Sequence, residues 1–126
     1  MGVDVVRPLI GVIGGSSATA EEAALAEAVG RALAESGAAL ICGGRGGVME
    51  AACRGAREAG GLTIGILPGA DRSEANPYVA LAIPTGIGYA RNAIITRAAE
   101  AVIAIAGSFG TLSEIAYSLD FGTPVV

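Results

Sequence analysis

The chain has 126 residues, 52% of them hydrophobic, with eight basic side chains against twelve acidic ones and a formal net charge of −4. That length fits one small domain, and an acidic chain sparse in charge argues against nucleic acid or an anionic membrane surface as a partner. No apolar run approaches the roughly 18 residues needed to span a bilayer. The N-terminus lacks the basic-then-apolar pattern of a signal peptide, so a cytoplasmic protein is expected. There is no His and no Lys; all eight basic residues are Arg. A Ser-His-Asp triad, a histidine metal site, a Walker A lysine and a lysine to hold pyridoxal phosphate are therefore excluded. No metal and no resident cofactor are expected. Any chemistry must come from carboxylates, Arg, hydroxyls and backbone amides.

In chain order, the apolar runs are PLIGVIG (8–14), AALIC (38–42), LTIGIL (62–67), ALAI (80–83), AVIAIA (101–106) and PVV (124–126). Most are continuously apolar, as expected of strands covered on both faces of a parallel sheet. Helices are predicted between them. Residues 20–36 place Leu25, Val29 and Leu33 at four-residue spacing beside Ala28 and Ala32, with Glu22, Glu27, Arg31 and Glu35 opposite, and Gly37 ends the run. Further helices are predicted over 47–59, 88–99 and 111–121. This order predicts an α/β, Rossmann-like, doubly wound and mainly parallel sheet with helices on both faces, forming a single domain over 1–126. The segment 68–80, rich in turn formers, reads as a lid or as a crossover between the halves. The closing GTPVV reads as a strand just beginning, so the chain reads as truncated before a covering helix. Cys42 and Cys53, not spaced as C-x-x-C, read as small buried hydrophobes rather than redox or metal groups.

In such sheets ligands bind at the carboxyl ends of the strands, and four turns fall on that edge. The first is GGSSATAEE (14–22). Gly14 and Gly15 form the turn, and Ser16 and Ser17 can donate to a phosphate at a helix N-terminus, although Thr19-x-x-Glu22 is also a capping box. The turn is not G-x-G-x-x-G, and the second strand ends in Cys42 rather than an acid, which argues against a nicotinamide or flavin enzyme. The second turn is GGRGGVME (43–50). Gly43, Gly44, Gly46 and Gly47 let the backbone approach an anion, Arg45 adds charge, and Met49 lies in the first helical turn. In the third, PTGIGYARN (84–92), Thr85 and Gly86 can build an anion turn. Arg91 and Asn92 open a helix, where a cation is electrostatically misplaced unless it meets an anion. The fourth, GSFGTLSEIA (107–116), supplies Gly107, Ser108, Phe109, Gly110 and Thr111. Thr111-x-x-Glu114 is a capping box in its own right, so Glu114 has both a structural and a catalytic reading. Gly43, Gly46 and Glu50 fall opposite Gly107, Gly110 and Glu114, as if one device were used twice.

GGRGGVMEAACRGAREAGG, NPYV…IPTGIGYARN and GSFGTLSEIAYSLDFGTPVV resemble the LOG (Lonely Guy) family, whose members were once labelled lysine decarboxylases. They resemble most its small bacterial branch, which is similar to the molybdenum cofactor carrier proteins. The resemblance covers nearly the whole chain and implies a Rossmann-like homodimer. For the LOG enzymes it implies phosphoribohydrolase activity, which cuts the N-glycosidic bond of nucleoside 5′-monophosphates to free base and ribose 5-phosphate. The alternative it implies is a non-catalytic carrier that binds a phosphorylated pterin cofactor or nucleotide. The Gly-Thr-x-x-Glu core of the family signature is intact at Gly110, Thr111 and Glu114. The leading Pro-Gly-Gly reads Ala106-Gly107-Ser108, and the upstream Arg-Lys pair reads Arg91-Asn92. In the hydrolase reading Glu114 stabilises an oxocarbenium-like state or orients water, and Arg91 holds the phosphate.

Overall fold

A computed structural model describes residues 7–106 and 109–126, and the side chains of all of these except 109 and 110. The chain runs β1 (Leu9–Gly14), α1 (Ala20–Glu35), β2 (Ala39–Cys42), α2 (Val48–Glu58), β3 (Thr63–Leu67), β4 (Leu81–Pro84), α3 (Arg91–Ala98), β5 (Ala101–Ile105) and α4 (Phe109–Phe121). The strands form one parallel sheet in the order β4-β3-β2-β1-β5. The chain winds outward from β1 through β2, β3 and β4, then crosses back to place β5 on the other side of β1. This is the doubly wound Rossmann-like arrangement, with its topological switch between β1 and β5.

Alternate residues of β1, β2 and β5 feed two cores. Val12, Leu40, Cys42 and Ile105 pack on one face with Ala26, Val48, Ala52 and Ala56 of α1 and α2. Ile13, Ile41, Ile66 and Val102 pack on the other with Ile95 and Ala99, flanked by Ile115 of α4. Burying a side chain such as Ile13, Leu40 or Ile95 completely contributes about 2 kcal/mol. A strand with a core on each side must be apolar at every position, which is why these runs show no alternation.

Three expectations need correction. The buried stripe of α1 is Ala26 and Gly30, whereas Leu25 points to solvent at 55% exposure. The reason is the closeness of α2. A Cβ on Gly30 would overlap the Ala52 carbonyl, and one on Gly55 would overlap the Glu27 carbonyl. Only small residues fit such a contact, so the larger Leu is displaced outward. The seam is flanked by the ion pairs Arg54–Glu27 (3.0 Å) and Arg31–Glu58 (3.3 Å). Next, β4 is a sheet edge whose Leu81 and Ile83 are exposed, so its apolar run is not covered on both faces. Finally, the segment expected as a helix over 88–99 starts as a 3-10 turn, Gly88–Ala90, before α3 begins at Arg91. The closing PVV run makes a parallel bridge, Val125 to Val102, beside β5.

The 68–80 segment is a pinned crossover. It holds a short 3-10 turn, Arg72–Glu74, capped by Asp71. The Asn76 side chain donates to the Arg45 carbonyl (2.8 Å) and its amide to the Gly44 carbonyl (2.8 Å). The Thr63 hydroxyl donates to the Tyr78 carbonyl (2.6 Å). This crossover buttresses the glycine loop that follows β2.

Candidate functional site

At the carboxyl edge of the sheet lies a cleft of about 490 Å³. Every strand delivers something to it. Gly14 ends β1, with Ser16 just beyond. Arg45, Gly46 and Met49 follow β2, and Pro68 follows β3. Gly88, Tyr89 and Arg91 follow β4, while Thr111 and Glu114 stand on α4 after β5. Residues far apart in sequence meet because all parallel strands end on the same edge.

The two charged side chains at its heart are both buried: Arg91 is 7% exposed and Glu114 6%. Burial pushes the Glu114 carboxyl up to about 7, and the nearby Arg91 charge opposes that shift. Burial also draws the Arg91 guanidinium down, with Glu114 opposing. No direct ion pair joins them among the described residues. Arg91 donates to the Asn92 side-chain oxygen. The Nε of Arg91 and the hydroxyl of Thr111 are buried without a hydrogen-bond partner among the described residues. Leaving such donors unmet costs about 1–3 kcal/mol each, so two of them beside one cleft are suited to an incoming acceptor.

The glycines of 43–47 have separate reasons. Gly44 (φ +76°) and Gly47 (φ +65°) adopt the left-handed region. At Gly43 a Cβ would stand 2.7 Å from Nη2 of Arg91 and 2.8 Å from Sδ of Met49. Its lack of a side chain makes room for the arginine. The loop is held from below by the Cys42 thiol, which accepts from the Gly44 amide at 3.3 Å. Cys42 and Cys53 are buried free thiols with Sγ atoms 3.6 Å apart, and hydrogen bonding to Cys53 together with burial keeps Cys42 well above the usual thiol range.

Of the sequence-predicted residues, the cleft brings together Gly14, Ser16, Arg45, Gly46, Met49, Arg91, Thr111 and Glu114. Gly43 and Asn92 touch Arg91 from outside the lining. Ser17 and Gly47 instead line a shallower hollow with Glu50 and Arg54. Gly15 accepts from the Val48 amide (3.1 Å) and so docks the start of α2. Thr85 and Gly86 are not an anion turn. Thr85 gives both its hydroxyl (2.7 Å) and its amide (3.1 Å) to the Leu67 carbonyl, and the Gly86 amide goes to the Gly69 carbonyl. Gly107 and Ser108 lie outside the described residues, as do the side chains of 109 and 110. The first capping box forms as expected, Thr19 with Glu22. The second does not. The α4 helix begins at Phe109, so Thr111 sits inside it and Glu114 faces the cleft. That removes the structural explanation of Glu114. The paired device is likewise unequal, since Glu50 is partly exposed beside the shallow hollow. Sequence reasoning missed Pro68, Gly88, Tyr89 and the buttress Asn76. Tyr89 had one available signal, an aromatic placed two residues before Arg91.

The sequence pattern of the SLOG cluster4 family matches residues 7–126. The chain belongs to that family. An uncharacterized protein of Archaeoglobus fulgidus is 44% identical over 116 residues, covering 92% of this chain and 76% of its own length. Among solved structures, the molybdenum cofactor binding protein of Rippkaea orientalis superposes with a TM-score of 0.93 at 43% identity, covering 97% of this chain and 76% of that one. The molybdenum cofactor carrier protein of Chlamydomonas reinhardtii does so at 0.87 and 37%, covering 95% and 75%. The SLOG chain thus shares both its fold and the resemblance to cofactor carriers read in its motifs. No helix among the described residues is long and apolar enough to cross a membrane.

Proposed function

We propose that this SLOG protein binds and carries a phosphorylated cofactor or nucleotide, in the manner for which its solved relatives are named. The observation that carries this reading is the pair of buried, unpartnered donors, Arg91 Nε and Thr111 Oγ1, beside a cleft that Arg45 also lines. A phosphate offers several acceptor oxygens and suits a guanidinium well. The Met49 end of the cleft is the N-terminus of α2, whose cap, Gly47, supplies no side-chain hydrogen bond. A helix end of this kind favours an anion. No cluster of His, Cys, Asp or Glu among the described residues could hold a bare metal ion. What these residues suit is the organic, phosphate-bearing part of a cofactor, with any metal arriving as part of the cargo.

A second reading is favoured by one observation, the Glu114 carboxyl near 7. A group that titrates near the working pH suits acid–base catalysis. As a phosphoribohydrolase, the protein would hold the ribose phosphate with Arg91. Water would add to the anomeric carbon while the bond to the base breaks; a protonated Glu114 would give its proton to the leaving base, and the proton released by the water would restore it. A homodimer is also proposed. The Ala-rich faces of α1 and α2 are used against each other, and the α4 stripe of Leu112 and Leu119, 61% and 72% exposed, is one apolar surface that could serve it. A monomer mass in light scattering would exclude it.

One experiment separates the readings: incubation with AMP and other nucleoside monophosphates, watched for free base by chromatography and for heat by calorimetry, with Glu114→Gln alongside. A carrier binds without release in both proteins. A hydrolase releases base in the wild type alone. Neither heat nor release refutes both.

A further inference from the structure

We infer that Tyr89 is a stacking platform for a flat heterocycle, so that the cleft takes a phosphate at Arg91 and an aromatic ring against Tyr89. The inference rests on the phosphate-binding reading above. Tyr89 lines the cleft yet is 76% exposed. The other two tyrosines are engaged: Tyr117 stacks on Phe121, and Tyr78 lies under the Arg54 guanidinium. Tyr89 makes no ring or cation contact among the described residues, although its position is close enough to influence the Arg91 charge. An aromatic side chain left this open beside a binding cleft retains a large apolar face for a ligand.

The backbone under it is built to be firm. The Gly88 amide donates to the Pro68 carbonyl (2.9 Å), and the Thr85 and Gly86 bonds clamp the same turn to the end of β3. Gly86 (φ +70°) and Gly88 (φ +64°) hold left-handed conformations, with nothing within 4 Å of where a Cβ would stand. These glycines answer to the shape of the turn, not to crowding. Pro68, Gly88 and Tyr89 therefore form one uncharged wall, fixed by hydrogen bonds, while Arg91 begins α3 at the next residue but one. A ligand with a ring and a phosphate could meet the uncharged wall and the arginine together in this cleft. Stacking is tolerant of ring identity, because every base presents a π face.

The test compares AMP and GMP with ribose 5-phosphate, which has the phosphate and sugar but no ring, by calorimetry on the wild type, Tyr89→Ala and Tyr89→Phe. The wild type should bind the nucleotides about tenfold or more tightly than ribose 5-phosphate. Tyr89→Ala should abolish that gap and leave ribose 5-phosphate affinity unchanged, and Tyr89→Phe should preserve it. Nucleotide binding should also quench tyrosine fluorescence in the wild type and less so in Tyr89→Ala. If ribose 5-phosphate binds but the nucleotides gain nothing, the platform is refuted and phosphate binding stands. A Tyr89→Ala protein that loses both ligands equally, or that changes mass in light scattering, makes Tyr89 a structural or interface residue and overturns the inference. If no probe binds the wild type, the phosphate reading itself falls.

Discussion

Replacing Glu114 with Gln should make the protein more stable at pH 8, and by an amount that depends on pH. In the folded chain its carboxyl titrates at about 7, against 4.5 for the free group. Between those values the folded state holds a proton that the unfolded state has released. Stability from this group is fully present below about 4.5, falls as pH rises through that window, and is flat above about 7. With 4.5 raised to about 7 and 1.36 kcal/mol for each tenfold change in proton affinity, an ionised Glu114 costs the fold about 3 kcal/mol at pH 8. Glutamine keeps the shape of the protonated acid and cannot ionise. Glu114→Gln should therefore gain up to about 3 kcal/mol at pH 8, or on the order of 10 °C in melting temperature for a chain of this size, and close to nothing at pH 4.5. Thermal and urea melts of both proteins at pH 4.5, 6, 7 and 8 measure this directly. Equal pH profiles, or a Gln variant less stable at pH 8, would refute the claim that Glu114 is a buried carboxylate held there at a cost in stability.

Arg91→Gln removes the positive charge that opposes the Glu114 shift, so the Glu114 midpoint, followed by carbon NMR of its carboxyl, should move higher than in the wild type. Gly43→Ala places a methyl against the far ends of the buried Arg91 and Met49 side chains. Phosphate-ligand affinity should fall tenfold or more in calorimetry, while the melt loses about 1–3 kcal/mol, as expected for a methyl forced into a packed site. Gly30→Ala meets the Ala52 carbonyl and should cost about 3 kcal/mol or more in a urea melt. A full-stability Gly30→Ala would show that α1 and α2 can separate freely.

The sheet was legible because most of its strands, β4 at the edge excepted, are buried on both faces and most are separated by helices. Continuous runs such as AVIAIA admit few other readings. The buried face of α1 was not legible. Hydrophobic spacing points to Leu25, but the contact is decided by how closely two backbones approach, and that depends on Gly55 and Ala52 in another helix. The same limit applies at the site. Arg91 could be singled out because a cation at a helix start calls for an anion. Glu114 was obscured by a local pattern, Thr-x-x-Glu, that explains it equally well as a cap. Only the true start of α4, two residues before Thr111, separates the two explanations. Thr85 and Gly86 were misread for a related reason: the partners that use their donors, Leu67 and Gly69, come from the end of a different strand. Asn76 opens the NPYV motif, but nothing local in that motif shows its role, which exists because the crossover returns to Gly44 and Arg45.

The most direct test of the account is the side-chain Nε–H signal of Arg91, assigned in a proton–nitrogen spectrum by its loss in Arg91→Gln and followed as ribose 5-phosphate is added. This donor is buried and unpartnered among the described residues, so a phosphate bound in the cleft should shift it downfield and slow its exchange with water. If the ligand binds, as shown by movement of other signals, while the Arg91 signal stays where it was, the phosphate is held elsewhere and the site assigned to this cleft is wrong.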